Sequence, residues 1–236
     1  MLARLAAALL LAAGLRGCVA YEFDHEFWLK VDGSGSVYVT GRPDLWRAFK
    51  GLAVDGLDED ALRARARALF ERSGLRVRRV TVTHRSGRAY LFVSADFDDV
   101  NALARQPAFS DLAIALRPQD GRLRLEGRWS RPSGLDSDVP TASDGVMAVR
   151  FHLPSKVYGH DNAAGGVERG NIVGWKQEVA RALAGDALAY GADIDSRSIL
   201  WSTVGLFAAA IVTGLGIIAV ALFVVFRRGR QERTAA

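Results

Sequence analysis

Four histidines, one cysteine and a scatter of glycines are the residues of this 236-residue chain whose types and spacing could do chemistry. Catalysis or metal binding would require the histidines to converge with carboxylates or a nucleophile. His25 stands between Asp24 and Glu26. On a strand its neighbours point to the opposite face, so the triplet is not a ready ligand set. No two histidines have the i, i+4 spacing of a helical zinc motif. His25, His84 and His152 fall in expected strands. His160-Asp161-Asn162 falls in a glycine-rich stretch expected as a loop, with no nucleophile signature beside it. An enzyme using that loop is a third reading of the chain, and unchanged function in a His160→Ala, Asp161→Ala variant would remove it. The glycines form neither G-x-x-x-x-G-K-[ST] nor a G-x-G-x-x-G between strand and helix, and Gly33 and Gly35 match only a turn. No catalytic, cofactor-binding or metal-binding residue is therefore expected, and no cofactor. The aromatics Phe23, Phe27, Trp28, Trp129 and Trp175 could line a cavity for acyl chains, though packing in a core is the ordinary role of strand aromatics.

Cys18 is the only cysteine, so it forms no internal disulfide. It follows a charged start at Arg4 and an apolar run of eleven residues, Leu5 to Leu15, which is too short to cross a ~30 Å hydrocarbon core. Residues 1–18 are expected as a secretory signal. Leu15-Arg16-Gly17-Cys18 reads as a lipobox whose thiol would carry a diacylglyceryl group. Arg16 departs from the usual small or apolar residue at its position. Ordinary cleavage after Ala20 is the competing reading.

Near the other end, Ile199 to Phe226 is a run of 28 residues without a charge, longer than the ~20 that a spanning helix needs. Trp201 near its start and Arg227, Arg228 and Arg230 after it are expected as membrane-interface anchors. By the positive-inside rule the basic tail, 227–236, is cytoplasmic and residues 19–198 form an extracytoplasmic domain. Both ends thus place the main domain outside a bacterial cell membrane, with membrane lipids as expected partners. Gly205, Ala209 and Thr213 give the helix one small-residue face, compatible with a homo-oligomer or an envelope protein partner. No charge lies within the apolar run, which argues against a proton relay and for an anchor.

A formal charge of +5 and a pI near 9.7 would invite nucleic-acid binding if the charge lay on the domain. It does not. The first 18 residues hold two arginines and no acid, and the last ten hold four arginines and Glu232, so the two ends account for all five charges. Nucleic acid is excluded as a partner on electrostatic grounds.

The elements that must position any site follow from alternation and capping. Residues 21–40 read as a hairpin turning at Asp32-Gly33-Ser34-Gly35-Ser36, with Phe23, Phe27, Leu29 and Val31 facing inward. A short helix is expected at 44–50. The clearest helix begins at the N-cap Asp58 and ends at Gly74, with Leu62, Ala66, Leu69 and Phe70 inward and Arg63, Arg67 and Arg72 in water. Strands are expected at 75–84 and 88–97, a helix at 98–105, and a hairpin of 112–117 and 121–129 turning at Pro118-Gln119-Asp120. Ser130 to Gly145 reads as a connection. Further strands are expected at 147–153, 171–175 and 186–193. The fold class is α+β: a mostly antiparallel sheet with two or three helices on one face, plus one C-terminal transmembrane helix.

In its order of features the chain resembles the LppM-type domain of bacterial envelope lipoproteins. The resemblance rests on the lipobox Cys18, Val31-Asp32-Gly33-Ser34-Gly35, Leu153-Pro154-Ser155-Lys156-Val157 with Asn162, Asn171-Ile172-Val173-Gly174-Trp175, and the closing apolar helix with a basic tail. It implies an α+β binding or interaction domain and transfers no catalytic residue. The expected function is a membrane-anchored, non-enzymatic domain binding a lipid, glycolipid or protein partner at the membrane surface. The alternative is an assembly subunit acting through its transmembrane helix.

Overall fold

The computed structural model describes residues 21–135, 145–163, 166–168, 171–197 and 199–234. The signal and Cys18, and most of the expected connection at 130–145, lie outside the described residues.

Strands β1 (Phe23–Leu29) and β2 (Gly35–Gly41) form the expected hairpin. Its turn closes through Lys30 N–H donating to Ser34 O at 2.8 Å, with Asp32 accepting from the Ser34 N–H and hydroxyl. Gly33 sits at φ +83, where a side chain would be strained. On β1, Phe23, His25, Phe27 and Leu29 are buried on one face while Asp24, Glu26 and Trp28 take the other.

Helix α1 (Pro43–Lys50) starts on a proline whose fixed φ suits the first turn and ends at a left-handed Gly51. In helix α2 (Glu59–Arg72) the Asp58 carboxylate accepts from Ala61 N–H at 2.8 Å, and Leu62, Ala66, Leu69 and Phe70 are buried, as the periodicity predicts. Strands β3 (Arg76–Arg85) and β4 (Arg88–Phe97) turn on Ser86-Gly87, both at positive φ. A single turn of helix, α3 (Val100–Leu103), and a 3-10 turn at Pro107–Phe109 lead to β5 (Leu112–Gln119) and β6 (Arg122–Trp129). This second hairpin turns on Asp120-Gly121, both left-handed, rather than at Pro118. Pro118 is instead inside β5, which lies at a sheet edge where a missing N–H is tolerated.

Strands β7 (Val146–His152), β8 (Val157–Asp161), β9 (Val167–Glu168) and β10 (Ile172–Glu178), a short helix α4 (Val179–Leu183) and strand β11 (Leu188–Asp195) complete the domain. Helix α5 (Ile199–Thr234) follows as 36 residues. It continues past the expected end of the apolar run because Arg, Gln and Glu are good helix formers. Within it Thr203–Phe223 is long and apolar enough to cross a membrane, with hydropathy 2.6.

The fold is α+β, but the strands form two sheets, not one. A seven-stranded sheet has the order β3-β4-β2-β1-β7-β10-β9, and a four-stranded sheet the order β5-β6-β11-β8. All recorded pairings are antiparallel except β1 with β7. Alternation assigns a face to each strand but not a partner, so the division was not readable. Helix α1 and the small sheet share the inner face of the large one. Trp46 and Phe49 of α1 pack on Phe23, while Tyr190 of β11 meets Phe151 and Trp175.

Gly127 marks the tightest point of the small sheet. A Cβ there would strike the Ala113 carbonyl and the Tyr190 phenol, whose hydroxyl donates to that same carbonyl at 2.9 Å. Gly127→Ala is expected to lower stability by about 1–3 kcal/mol through overpacking, read as an earlier urea midpoint.

The registers place one set of strand ends together. Leu29, Gly35, Phe97 and Arg76 lie at one end of the large sheet, and Asp195, Arg122 and Gln119 at one end of the small sheet. Ser155 Oγ donates to Asp195 O at 2.5 Å and Asp195 N–H to Lys156 O at 2.9 Å, tying the end of β7 to the end of β11.

Candidate functional site

Two arrangements of polar side chains stand out, one inside the core and one on the outer face of the large sheet. The inner one is built around Asp111, just before β5. Its carboxylate pairs with Lys50 Nζ at 2.6 Å and accepts from Trp129 Nε1 at 2.8 Å, and both members of the ion pair have fully buried side chains. His25 Nε2 lies 3.6 Å from the second Asp111 oxygen, beyond hydrogen-bond length, and neither imidazole nitrogen has a partner. Phe23, Phe27, Phe109 and Trp129 surround that ring. Burial raises the Asp111 carboxyl and lowers the Lys50 ammonium, and each charge offsets the effect on the other. Burial, reinforced by Lys50, pushes His25 well below the ordinary imidazole value, so the ring is neutral. Sealed from solvent, this cluster presents no side chain to the surface, and it links α1 and β6 through Asp111 with β1 packed against them. The one signal for it in the sequence is that Lys50 lies four residues after Trp46, on the apolar stripe of α1.

The outer arrangement crosses four adjacent strands. His152 of β7 stacks on Trp28 of β1 at 4.3 Å between centroids, Trp28 meets Tyr38 of β2 at 4.1 Å, and Tyr38 meets Phe92 of β4 at 5.6 Å. Beside this row, Glu26 forms an ion pair with Arg150 at 3.0 Å and lies 2.7 Å from His152 Nε2, while Asp24 takes the other branch of the Arg150 guanidinium. Burial raises the Asp24 carboxyl, opposed by Arg150. At the Trp28 end a depression of about 270 Å³ is lined by Lys30, Ser34, Ser36, Arg78 and Asp96 among others. The polar groups of this depression can exchange hydrogen bonds with a ligand seated beside the Trp28 indole. A second, shallower depression of about 620 Å³ lies on the small sheet, bordered by Arg117, Arg124, Glu126, Arg128 and Asp161.

No family model matches the chain, and no curated protein matches it. Among solved structures the chain is similar to the NMR structure of the folded domain of the LppM protein of Mycobacterium tuberculosis. The identity is 19% and the TM-score 0.38, over 77% of this chain and 96% of that one. That domain is of the type which the order of sequence motifs resembles.

The sequence candidates separate as follows. Phe23, Phe27, Trp129 and Trp175 are buried core, whereas Trp28 lines the outer depression. His84 lies 3.8 Å from Glu59 at the edge of the large sheet. His160, expected in a loop, lies on β8 opposite Ala192, because Gly159 sits in a ladder without hindrance there. Among the described residues no group of three or more His, Cys, Asp or Glu side chains could hold a metal. Trp201, Arg227, Arg228 and Arg230 all belong to α5. On its small-residue face the Thr213 hydroxyl donates to Ala209 O at 2.8 Å within the helix, so it needs no partner across an interface.

Proposed function

We propose that the chain is a single-pass protein of a bacterial cell membrane, exported by residues 1–18, lipidated at Cys18 and held by the helix at 199–226 with its C-terminus in the cytoplasm. Its folded domain binds rather than catalyses. The partner is the polar headgroup of a lipid or glycolipid at the membrane surface, taken on the outer face of the large sheet.

The observation that supports this reading is the row His152, Trp28, Tyr38 and Phe92 with Glu26, Arg150 and Asp24 beside it. An aromatic row next to fixed carboxylates and a guanidinium suits a sugar, which presents C–H groups and hydroxyls to the same surface. The full chain purified in mild detergent is expected to carry such a lipid, detected by mass spectrometry of the organic extract. Trp28→Ala should reduce the bound amount roughly 5-fold, the loss of about 1 kcal/mol of ring contact. Equal lipid in both proteins, or capture of a crosslinked envelope protein with no lipid, would sink the reading. Replacing 199–226 by an unrelated spanning sequence separates it from an assembly role: binding survives the exchange, assembly does not.

A further inference from the structure

We infer that the end of the domain from which the chain enters α5 is an interfacial belt, seating Tyr158 at headgroup level and Arg122, Lys156 and Arg197 on the phosphates of anionic phospholipids. The inference rests on reading α5 as a membrane span.

Outside α5, the exposed large hydrophobic side chains among the described residues are Tyr158, 45% exposed, and Val167, 38% exposed. Tyr158 is the second residue of β8, at the end where β11 finishes. Its ring carries two cations: the Arg122 guanidinium 4.2 Å from the centroid and Lys156 Nζ at 5.1 Å. Its hydroxyl donates to Asp195 Oδ2 at 2.9 Å, and Asp195 also accepts from the Arg197 N–H at 2.8 Å. The cluster is thus fastened to the last residue of β11.

Helix α5 begins at Ile199, four residues later. Four residues reach at most ~14 Å, so the cluster cannot stand far from a bilayer that α5 crosses. A tyrosine with its ring half in apolar surroundings and its hydroxyl wet is the side chain that membrane interfaces favour.

The charges agree with that placement. Arg122, Lys156 and Arg197 are all exposed, and none closes a direct ion pair among the described residues. Elsewhere on the same sheet Arg117 pairs with Glu126, and Arg124 with Asp161 and Asp193. Three open cations thus gather at the end nearest the helix, while Arg128, at the far end of β6, is open and stands alone there. The acids among them are Asp195, already engaged by Tyr158 and the Arg197 N–H, and Asp120 at the tip of the neighbouring turn. Anionic headgroups attract juxtamembrane cations strongly within a Debye length of ~8 Å.

The test uses the full chain in nanodiscs of phosphatidylcholine alone or with roughly 30% phosphatidylglycerol, a strongly anionic surface. Acetylation by a water-soluble amine reagent is followed by mass spectrometry at Lys156, with Lys176 as internal reference. Lys156 is expected to react about 5-fold more slowly in the anionic discs, with Lys176 unchanged, as binding to the charged surface requires. The Tyr158→Ala, Arg122→Ser variant should lose that protection. Equal Lys156 rates in the two discs, or protection that persists in the variant, overturn the belt while leaving the span intact. A chain that fails to enter either disc overturns both.

Discussion

Lys50→Ala is expected to lower the unfolding free energy of the domain by about 3–5 kcal/mol, because it strands the Asp111 carboxylate in a fully buried site. Asp111→Ala should cost a similar amount by stranding the ammonium and freeing the Trp129 indole N–H. The informative comparison is the double replacement Lys50→Met, Asp111→Leu. An apolar pair of similar volume removes both desolvation costs, so the double variant should be close to the parent protein in stability, and far more stable than either single one. Urea unfolding of the full chain in detergent, followed by tryptophan fluorescence, reads all four proteins. A double variant as unstable as the singles would mean that the pair also holds a packing geometry that apolar side chains cannot reproduce.

The second large effect is a loss of stability on mild acidification. His25 is depressed well below 6.5 in the folded domain by burial and by Lys50, while in the unfolded chain it titrates normally. Above pH 6.5 the ring is neutral in both states and contributes no pH dependence. As the pH falls below 6.5 the unfolded chain takes up a proton that the folded domain refuses, so stability drops by about 1.4 kcal/mol per pH unit. From pH 6.5 to 5 this amounts to roughly 2 kcal/mol, with the slope continuing until the lowered folded value is reached. His25→Leu should remove this component, measured as the difference between the two proteins' unfolding free energies across that range. Identical slopes would show that the imidazole finds a proton partner inside.

Both effects come from a part of the structure that the sequence disclosed only in fragments. The hairpin of residues 21–40, helix α2 with its Asp58 cap and the outward direction of Asp24 and Glu26 were all legible, because capping and period-two alternation are local signals. Lys50 sat at the end of an expected helix and Asp111 beside an expected strand, but their meeting spans 61 residues and depends on how the small sheet is laid against α1. The stretch from Gly159 to Gly170 looked like a loop because glycine weakens strand propensity, yet β8 and β9 form there by pairing with β11 and β10. The displaced turn of the second hairpin has a similar origin. Pro118 is a strong turn residue, but Asp120-Gly121 can both take left-handed backbone and so match the strand twist better. On the outer face, Trp28 is grouped by residue type with the core aromatics, yet it alternates with the inward Phe27 and Leu29, and the row it forms with Tyr38, Phe92 and His152 requires the order of four strands.

The position of β11 has a mechanical consequence. It is an inner strand of the small sheet, laddered to β6 along its whole length and to β8 along part of it, and it is the strand that continues toward α5. With α5 as the membrane span proposed above, tension on the domain would load β11 along its axis, in shear, against bonds on both flanks at once. An edge strand loaded the same way would resist with the bonds of one flank alone. On the proposed reading of α5 as the membrane span, the domain is joined to that span through a strand held on two flanks.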